Sequence, residues 1–229
     1  MEVMLTDERL KKHLGSIFDD CGDDRYRPIA VLSAVISVGD TDRTETAIRY
    51  FKSGKFDRTA VYETVLQSYL FLGFPRMIEA ALAYNKVYGD GKDRGVFGPI
   101  SPKESRRWFD DGSKLCRKVY GKNYERLEEK FLSVSPELFR WMVVEGYGKV
   151  LSRPGLSHIE RELAEVAALI VDGRRRQLLS HLLGSLNMGA SFGMLKTLLM
   201  DIGPLVSSEH KAMTVELIEE LERKNASVL

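Results

Sequence analysis

The sequence predicts an all-α fold, and three observations support this prediction. Apolar residues recur at helical spacing, segments that alternate apolar and polar residues as strands do are scarce, and several segments begin with residues that cap helices. Two of the apolar helix faces are formed by Val61, Val65, Leu66, Tyr69 and Leu72, and by Met213, Leu217, Ile218 and Leu221. We expect about ten to twelve helices.

The starts and ends of several helices can be located from single residues. A serine before a proline or three residues before a glutamate predicts a helix start, because its hydroxyl accepts a hydrogen bond from a free main-chain N–H group. Such starts occur at Ser101–Pro102–Glu104, Ser135–Pro136 and Ser157–Glu160. Gly173 and Gly189 predict helix ends, since glycine adopts the left-handed conformation at little cost.

Composition restricts the class of protein. The 229 residues are 44% hydrophobic and 29% charged, which is typical of a folded globular chain. The net charge of +1 argues against a general nucleic-acid-binding protein. The N-terminus does not resemble a secretory signal, and no apolar run approaches the roughly 20 residues that span a membrane. We therefore expect a cytoplasmic protein.

Cys21 and Cys116 are the two cysteines of the chain. They form no CxxC motif, and two cysteines so far apart do not indicate a framework of disulfides. A cysteine-rich zinc site is excluded by their number. The expected state is two reduced thiols.

A glycine- and proline-rich segment divides the chain. Residues 88–104 contain four glycines and two prolines, which predicts a connection. The predicted units are an N-terminal repeat at residues 1–90, a connecting loop at 91–110 and a C-terminal repeat at 111–229. The segments 27–39 and 161–173 can be aligned, with arginine, two alanines, isoleucine and glycine in common. This similarity predicts one helical hairpin that is used twice.

His181 is the histidine best placed for chemistry. It lies among leucines on a predicted helix, whereas His13, His158 and His210 lie in polar sequence and are expected to be solvated. Glu162 precedes the turn at residue 173 by about 16 Å of helix, and His181 follows it by about 12 Å, so the two side chains can meet in an antiparallel hairpin. The alternatives are that His181 is a core histidine and that Glu162 is an acidic residue in the first turn of a helix, where the helix dipole favours a negative charge.

A group of arginines indicates a possible anion site. Arg174, Arg175 and Arg176 begin a predicted helix, where the helix dipole disfavours cations. Arg153 and Arg161 add positive charge nearby in the sequence, and any of these side chains could bind a carboxylate with two hydrogen bonds. The alternative is a solvated turn.

The chain resembles a known family. Residues 119–189, including GLSHIERELAEVAALIVDG and RRRQLLSHLLGSLNMG, resemble the carboxymuconolactone decarboxylase family, which is related to the alkylhydroperoxidase D proteins. Residues 59–83, with Gln67, Tyr69, Gly73 and Pro75, resemble the end of the same family core. The resemblance thus covers most of the chain in two copies.

The resemblance implies an all-helical fold that assembles into ring-like homo-oligomers. Glu162 and His181 match the glutamate and histidine of the peroxidase branch, but its two thiol positions fall on Arg174 and Gln177. Because a thiolate is the nucleophile of that chemistry, we do not expect peroxidase activity. The decarboxylase branch needs no thiol, and His181 matches its histidine, although Gln177 stands where that branch has a glutamate.

These observations predict thiol-independent proton transfer on a small organic acid or lactone, as in a lyase or decarboxylase. The predicted catalytic residues are His181 and Glu162. The predicted binding residues, in one composite site from both repeats, are Arg174, Arg161, Arg153, Gln177, Tyr69 and Gln67. No metal or cofactor, no nucleic acid and no membrane is expected, and the chain is expected to form a homo-oligomer.

Two alternatives remain open at this point. The first is a non-catalytic helical oligomer that binds a small ligand or a partner protein. The second is an interaction scaffold whose 88–110 loop docks a partner through Trp108 and Phe109.

Overall fold

The computed structural model of the chain describes residues 6–89 and 98–226, and every regular element in these two ranges is helical. The predicted all-α fold is therefore confirmed. The twelve α-helices of the described ranges are α1 (Asp7–Asp20), α2 (Tyr26–Val38), α3 (Thr41–Ser53), α4 (Arg58–Gln67), α5 (Tyr69–Tyr88), α6 (Pro102–Tyr120), α7 (Tyr124–Val134), α8 (Pro136–Trp141), α9 (His158–Asp172), α10 (Arg175–Asn187), α11 (Phe192–Ile202) and α12 (Ser208–Ala226). A π-helix spans Met142–Leu151, and short 3-10 turns span Gly121–Asn123 and Gly203–Leu205.

The segment that was predicted as a connecting loop, 91–110, is partly helical. Residues 102–110 begin α6. Ser101 and Glu104 form the predicted capping box, and Pro102 between them lies in the first turn. Trp108 and Phe109 are therefore helical residues rather than loop residues. Residues 91–97 of this segment lie outside the described ranges.

The apolar face that was predicted to continue from Val61 to Leu72 is divided between two helices. Helix α4 ends at Gln67 and α5 begins at Tyr69; Ser68 between them keeps helical dihedral angles, but its N–H group donates to Val65, three residues back. A second break follows at Gly73, whose φ of 76° is one that side-chain-bearing residues rarely adopt. The sequence Gly73-Phe-Pro therefore starts a new helical run inside α5.

Two helical hairpins form the centre of the fold. Gly39 ends α2 and Gly173 ends α9, both in the left-handed conformation, so that α3 and α10 can turn back. Helices α2 and α9 lie against each other, and the hydroxyl of Ser33 donates a 2.7 Å hydrogen bond to the carbonyl oxygen of Ala164. The largest apolar core surrounds this pair of helices.

The π-helix packs unusually closely on α6. A Cβ atom at Gly112 would overlap the main-chain oxygen of Val143, and one at Gly148 would overlap that of Trp108. The two glycines therefore let the two main chains touch. A second apolar cluster lies around this contact, and one side of the π-helix faces the cavity described below.

In the two described ranges, none of the helices has both the length and the apolar sequence that crossing a bilayer requires.

Candidate active site

Glu162 and His181 meet between the two helices of the α9–α10 hairpin. The Nδ1 atom of His181 lies 3.1 Å from Oε2 of Glu162, and both side chains are buried. The hairpin brings them together because the left-handed turn at Gly173 lies between α9 and α10, at comparable helical distances from both residues.

A second carboxylate, that of Glu165, completes this cluster and was missed in the sequence. Oε2 of Glu165 lies 3.0 Å from Nδ1 of His181. Glu165 follows Glu162 by three residues, so both face the same side of α9. That spacing was the available signal, and it was hidden inside an apolar run that reads as a core helix face.

One nitrogen cannot satisfy both carboxylates. Nδ1 carries at most one proton, and its hydrogen bond goes to Glu162. Glu165 is 1% exposed, and neither of its oxygens has a hydrogen bond. Because two buried carboxylates share one imidazole, binding of a proton or another cation lowers the energy of the cluster.

The pKa values of both Glu165 and His181 are raised, which favours a bound proton in the cluster. Burial, followed by the negative charge of Glu162, raises the pKa of Glu165 to about 7, although His181 acts in the opposite direction. Burial alone would lower the pKa of His181, but the hydrogen bond to Glu162 and the contact with Glu165 raise it well above its ordinary value. The two carboxylates therefore favour the imidazolium form of His181.

Gly184 leaves room for this arrangement. A Cβ atom at this position of α10 would lie 2.8 Å from Oε2 of Glu162 and 2.8 Å from a methyl group of Val119. The absence of a side chain at Gly184 therefore allows the Glu162 carboxylate to occupy the space beside His181.

The cluster opens on one side to a cavity of about 460 Å³ that His181 lines. Since Nδ1 faces the carboxylates, Nε2 is the ring nitrogen that remains for a molecule in the cavity. The volume falls in the range of ordinary small-molecule sites. The aromatic residues that line the cavity are Tyr69, Phe71, Tyr120, Phe131, Trp141 and Tyr147.

Helix α10 contributes the polar wall of the cavity. Arg176, Gln177 and Ser180 line it together with His181, and Lys130 of α7 lies on another side. Gln177, a predicted binding residue, is thus placed one turn from His181.

The N-terminal half of the chain also reaches the cavity. Tyr69, another predicted binding residue, lines it and donates a 2.9 Å hydrogen bond to Oε1 of Glu145. Glu145 in turn accepts a 3.0 Å hydrogen bond from Lys149.

The other predicted binding residues are not brought to the cavity. Arg161 and Arg153 both bind Glu63, at 2.9 Å each, and Arg161 also donates to Gln67 at 3.0 Å. This network has its own buried partners, so these groups are not available to a ligand. Arg174 is exposed and pairs with Asp172 at 2.7 Å.

The remaining histidines and Cys116 have other surroundings. His158 is exposed as expected, but His13 and His210 are half-buried, because each packs against a main-chain carbonyl oxygen, of Asp201 and Val171 respectively. Burial raises the pKa of the Cys116 thiol to about 12, so it is not a thiolate at neutral pH.

Glu162, Glu165 and His181 are also the residues that could hold a metal ion. One ligand atom from each lies within 4.8 Å of the other two. Two carboxylates and one imidazole match the number and the kind of ligands in catalytic zinc sites.

No protein-family model matches the chain, and no curated protein matches it either.

Proposed function

We propose that the protein is a thiol-independent enzyme that transfers protons on a small organic acid or lactone, with His181 as the proton donor and acceptor. The observation that carries the proposal is the position of His181. Its Nδ1 is held by two buried carboxylates, and the same ring lines a cavity of the size that small molecules occupy. A fixed imidazole at the wall of a cavity is the arrangement that general acid–base catalysis requires.

The protonation state gives the direction of the first step. Because its pKa is raised well above the ordinary value, His181 begins as an imidazolium. As the C–CO2 bond of the substrate breaks, its electron pair is left on the carbon as a carbanion or enolate, and this carbon takes the Nε2 proton of His181, which becomes neutral while CO2 leaves. The two carboxylates then favour its return to the imidazolium by taking up one proton from solvent.

Two further observations support chemistry without a thiol. The positions of the peroxidase thiols are occupied by Arg174 and Gln177, and the Cys116 thiol stays protonated at neutral pH. The resemblance to the carboxymuconolactone decarboxylase family, whose decarboxylase branch uses a histidine without a thiol, supports the same class of reaction. We also propose the homo-oligomer on that resemblance, the two-copy organisation on the resemblance and the alignment of segments 27–39 and 161–173, and the cytoplasmic location on the composition of the sequence.

The test is isotopic exchange with a panel of lactones, lactone carboxylic acids and keto acids in D2O. We expect wild-type protein to speed the incorporation of solvent deuterium at one carbon, or the loss of CO2 from it, for at least one compound. We expect His181→Asn to lower that rate by about 10²–10⁴-fold, the usual contribution of a general acid or base. His158→Asn is the control, since His158 is exposed and does not line the cavity.

Three results would contradict the proposal. Wild-type protein could leave every compound unchanged, which would favour a binding protein of the same fold. His181→Asn could retain full activity, which would place the chemistry elsewhere. Activity could disappear on treatment with EDTA and return with Zn²⁺, which would assign Glu162, Glu165 and His181 to a metal site instead.

A further inference from the structure

Apolar surface dominates the cavity beside His181, and part of it is uncovered. Trp141 is 64% exposed and Leu138 is 42% exposed, although both line the cavity. Deeper in the cavity, Phe71 packs edge-on against the His181 ring at 5.1 Å between ring centroids. A small, uniformly polar substrate would leave this apolar wall in contact with water, whereas a substrate with an apolar body would cover it.

Two cations of the cavity have no anionic partner in the described ranges. Arg174 pairs with Asp172 and Arg175 with Glu216, but no described carboxylate pairs with Arg176 or with Lys130. Both of these side chains line the cavity. An anionic group of a ligand is therefore the partner that the cavity is equipped to bind.

The position of Arg176 also sets a distance. It precedes His181 by five residues on α10, which corresponds to about 7.5 Å along the helix axis. The Cα atoms of the two residues are therefore more than one helical turn apart along the wall of the cavity, and we assign the anchoring carboxylate and the reacting carbon to different parts of the substrate.

From these three observations we infer that the substrates are amphipathic organic acids with an aromatic or similarly bulky apolar body. The anchoring carboxylate pairs with Arg176 and Lys130, and the apolar body covers Phe71, Leu138 and Trp141. The reacting carbon lies between these two regions, beside His181. The inference rests on the proposed function, because it names the substrate class of the same site.

The test is a binding measurement with three probes. 4-Phenylbutyrate has both features, butyrate lacks the aromatic body, and 4-phenylbutyramide lacks the charge. Binding is followed by the fluorescence of Trp141 in a Trp108→Phe background, which leaves one tryptophan in the chain. Calorimetry on the unmodified protein provides a second readout.

We expect 4-phenylbutyrate to bind at least about tenfold more tightly than butyrate, because a phenyl group leaves water. We expect it to bind about fivefold more tightly than the amide. Arg176→Gln should abolish the preference for the acid over the amide. Arg175→Gln is the matched control, since this neighbouring arginine pairs with Glu216 and does not line the cavity, and it should retain the preference.

Equal affinities for 4-phenylbutyrate and butyrate, or an unchanged preference in Arg176→Gln, would overturn the inference. So would a Trp141 signal that changes with protein concentration and not with any probe, because that would assign this face to contacts between copies of the chain.

These outcomes separate the inference from the proposed function. If 4-phenylbutyrate binds as expected while no compound exchanges a proton, the proposed function fails. If a polar compound is turned over while binding depends neither on the phenyl group nor on Arg176, the inference fails and the proposed function stands.

Discussion

Two buried polar clusters share helix α9, and they differ in how fully their groups are satisfied. Arg161 and Glu162 are adjacent in the chain and almost completely buried, but they face different clusters. The guanidinium of Arg161 contacts Glu63, Gln67 and the carbonyl oxygens of residues 153 and 154. The carboxylate of Glu162 contacts a histidine that a second carboxylate also contacts.

The difference shows what separates a structural cluster from a candidate reaction centre. Around Glu63, two guanidinium groups donate to one carboxylate, and although Nε of Arg161 has no hydrogen bond, the charge of Arg161 is paired with Glu63. Around His181, two carboxylates compete for one N–H group, both oxygens of Glu165 lack a hydrogen bond, and the ring lines a cavity. Both clusters are buried and charged, but an excess of carboxylates that favours binding of a further proton is found around His181.

The largest effect on stability is expected at the first cluster. Glu63→Gln keeps the shape of the side chain but leaves the buried Arg161 without a negative partner. Breaking a buried pair in this way typically costs about 3–5 kcal/mol. Denaturant unfolding measures this loss, and Glu216→Gln, which breaks an exposed pair with Arg175, should cost less than about 1 kcal/mol. Similar losses in the two variants would contradict the distinction between them.

The next effect concerns the pH dependence of stability. Folded Glu165 has a pKa of about 7, against an ordinary value of 4.5, so between these values the folded chain holds a proton that the unfolded chain releases. Stability should therefore fall as the pH rises through this window, by roughly 3 kcal/mol. Because the pKa of His181 is raised above 6.5 in the folded chain, the free energy of unfolding continues to decrease as the pH rises above 6.5.

Glu165→Gln tests this dependence because glutamine does not titrate. The free energy of unfolding of this variant, measured from pH 4.5 to 8, should fall less steeply than that of the wild type. An equally steep fall in both proteins would show that Glu165 does not hold the extra proton.

A smaller and more selective effect is expected at Gly184. In Gly184→Ala the new methyl group displaces the Glu162 carboxylate from its place beside His181. The methyl group also meets Val119, so overpacking of about 1–3 kcal/mol is partly offset by the gain of about 1 kcal/mol that alanine brings to a helix, and the free energy of unfolding should fall by roughly 1 kcal/mol. The exchange activity and the raised pKa of His181 should both decrease. If both stay at wild-type values, the contact between Glu162 and His181 is not needed by the site.

Much of the fold could be predicted because it depends on local signals. The capping boxes at Ser101 and Ser157 and the left-handed end at Gly173 are each determined by a few neighbouring residues. The meeting of Glu162 with His181 was also predictable, since it requires only a hairpin and the rise of a helix. The boundary between α4 and α5 at Ser68 divides an apolar face that appears continuous in the sequence, because helical spacing does not reveal where the hydrogen-bond pattern of a helix is interrupted.

The cations that line the cavity could not be predicted, because the surroundings of each cation depend on tertiary packing. In the sequence, Arg153, Arg161 and Arg174 appear as suitable as Arg176 for binding a carboxylate. Glu63, about 100 residues away in the chain from Arg161, forms ion pairs with both Arg153 and Arg161. Asp172 pairs with the third, and only the placement of α7, α8, the π-helix and α10 around one cavity shows that Arg176 lines it.

The central claim is that the Glu162–Glu165–His181 cluster holds a proton at the wall of a ligand cavity. The most direct test is nuclear magnetic resonance of ¹⁵N-labelled histidine in the wild type, with His181→Asn to identify the signal. We expect the His181 ring to stay protonated well above pH 6.5, and 4-phenylbutyrate to shift its Nε2 resonance. A ring that titrates near pH 6.5 and does not respond to the probe would show that the cluster does not hold a proton beside a ligand site.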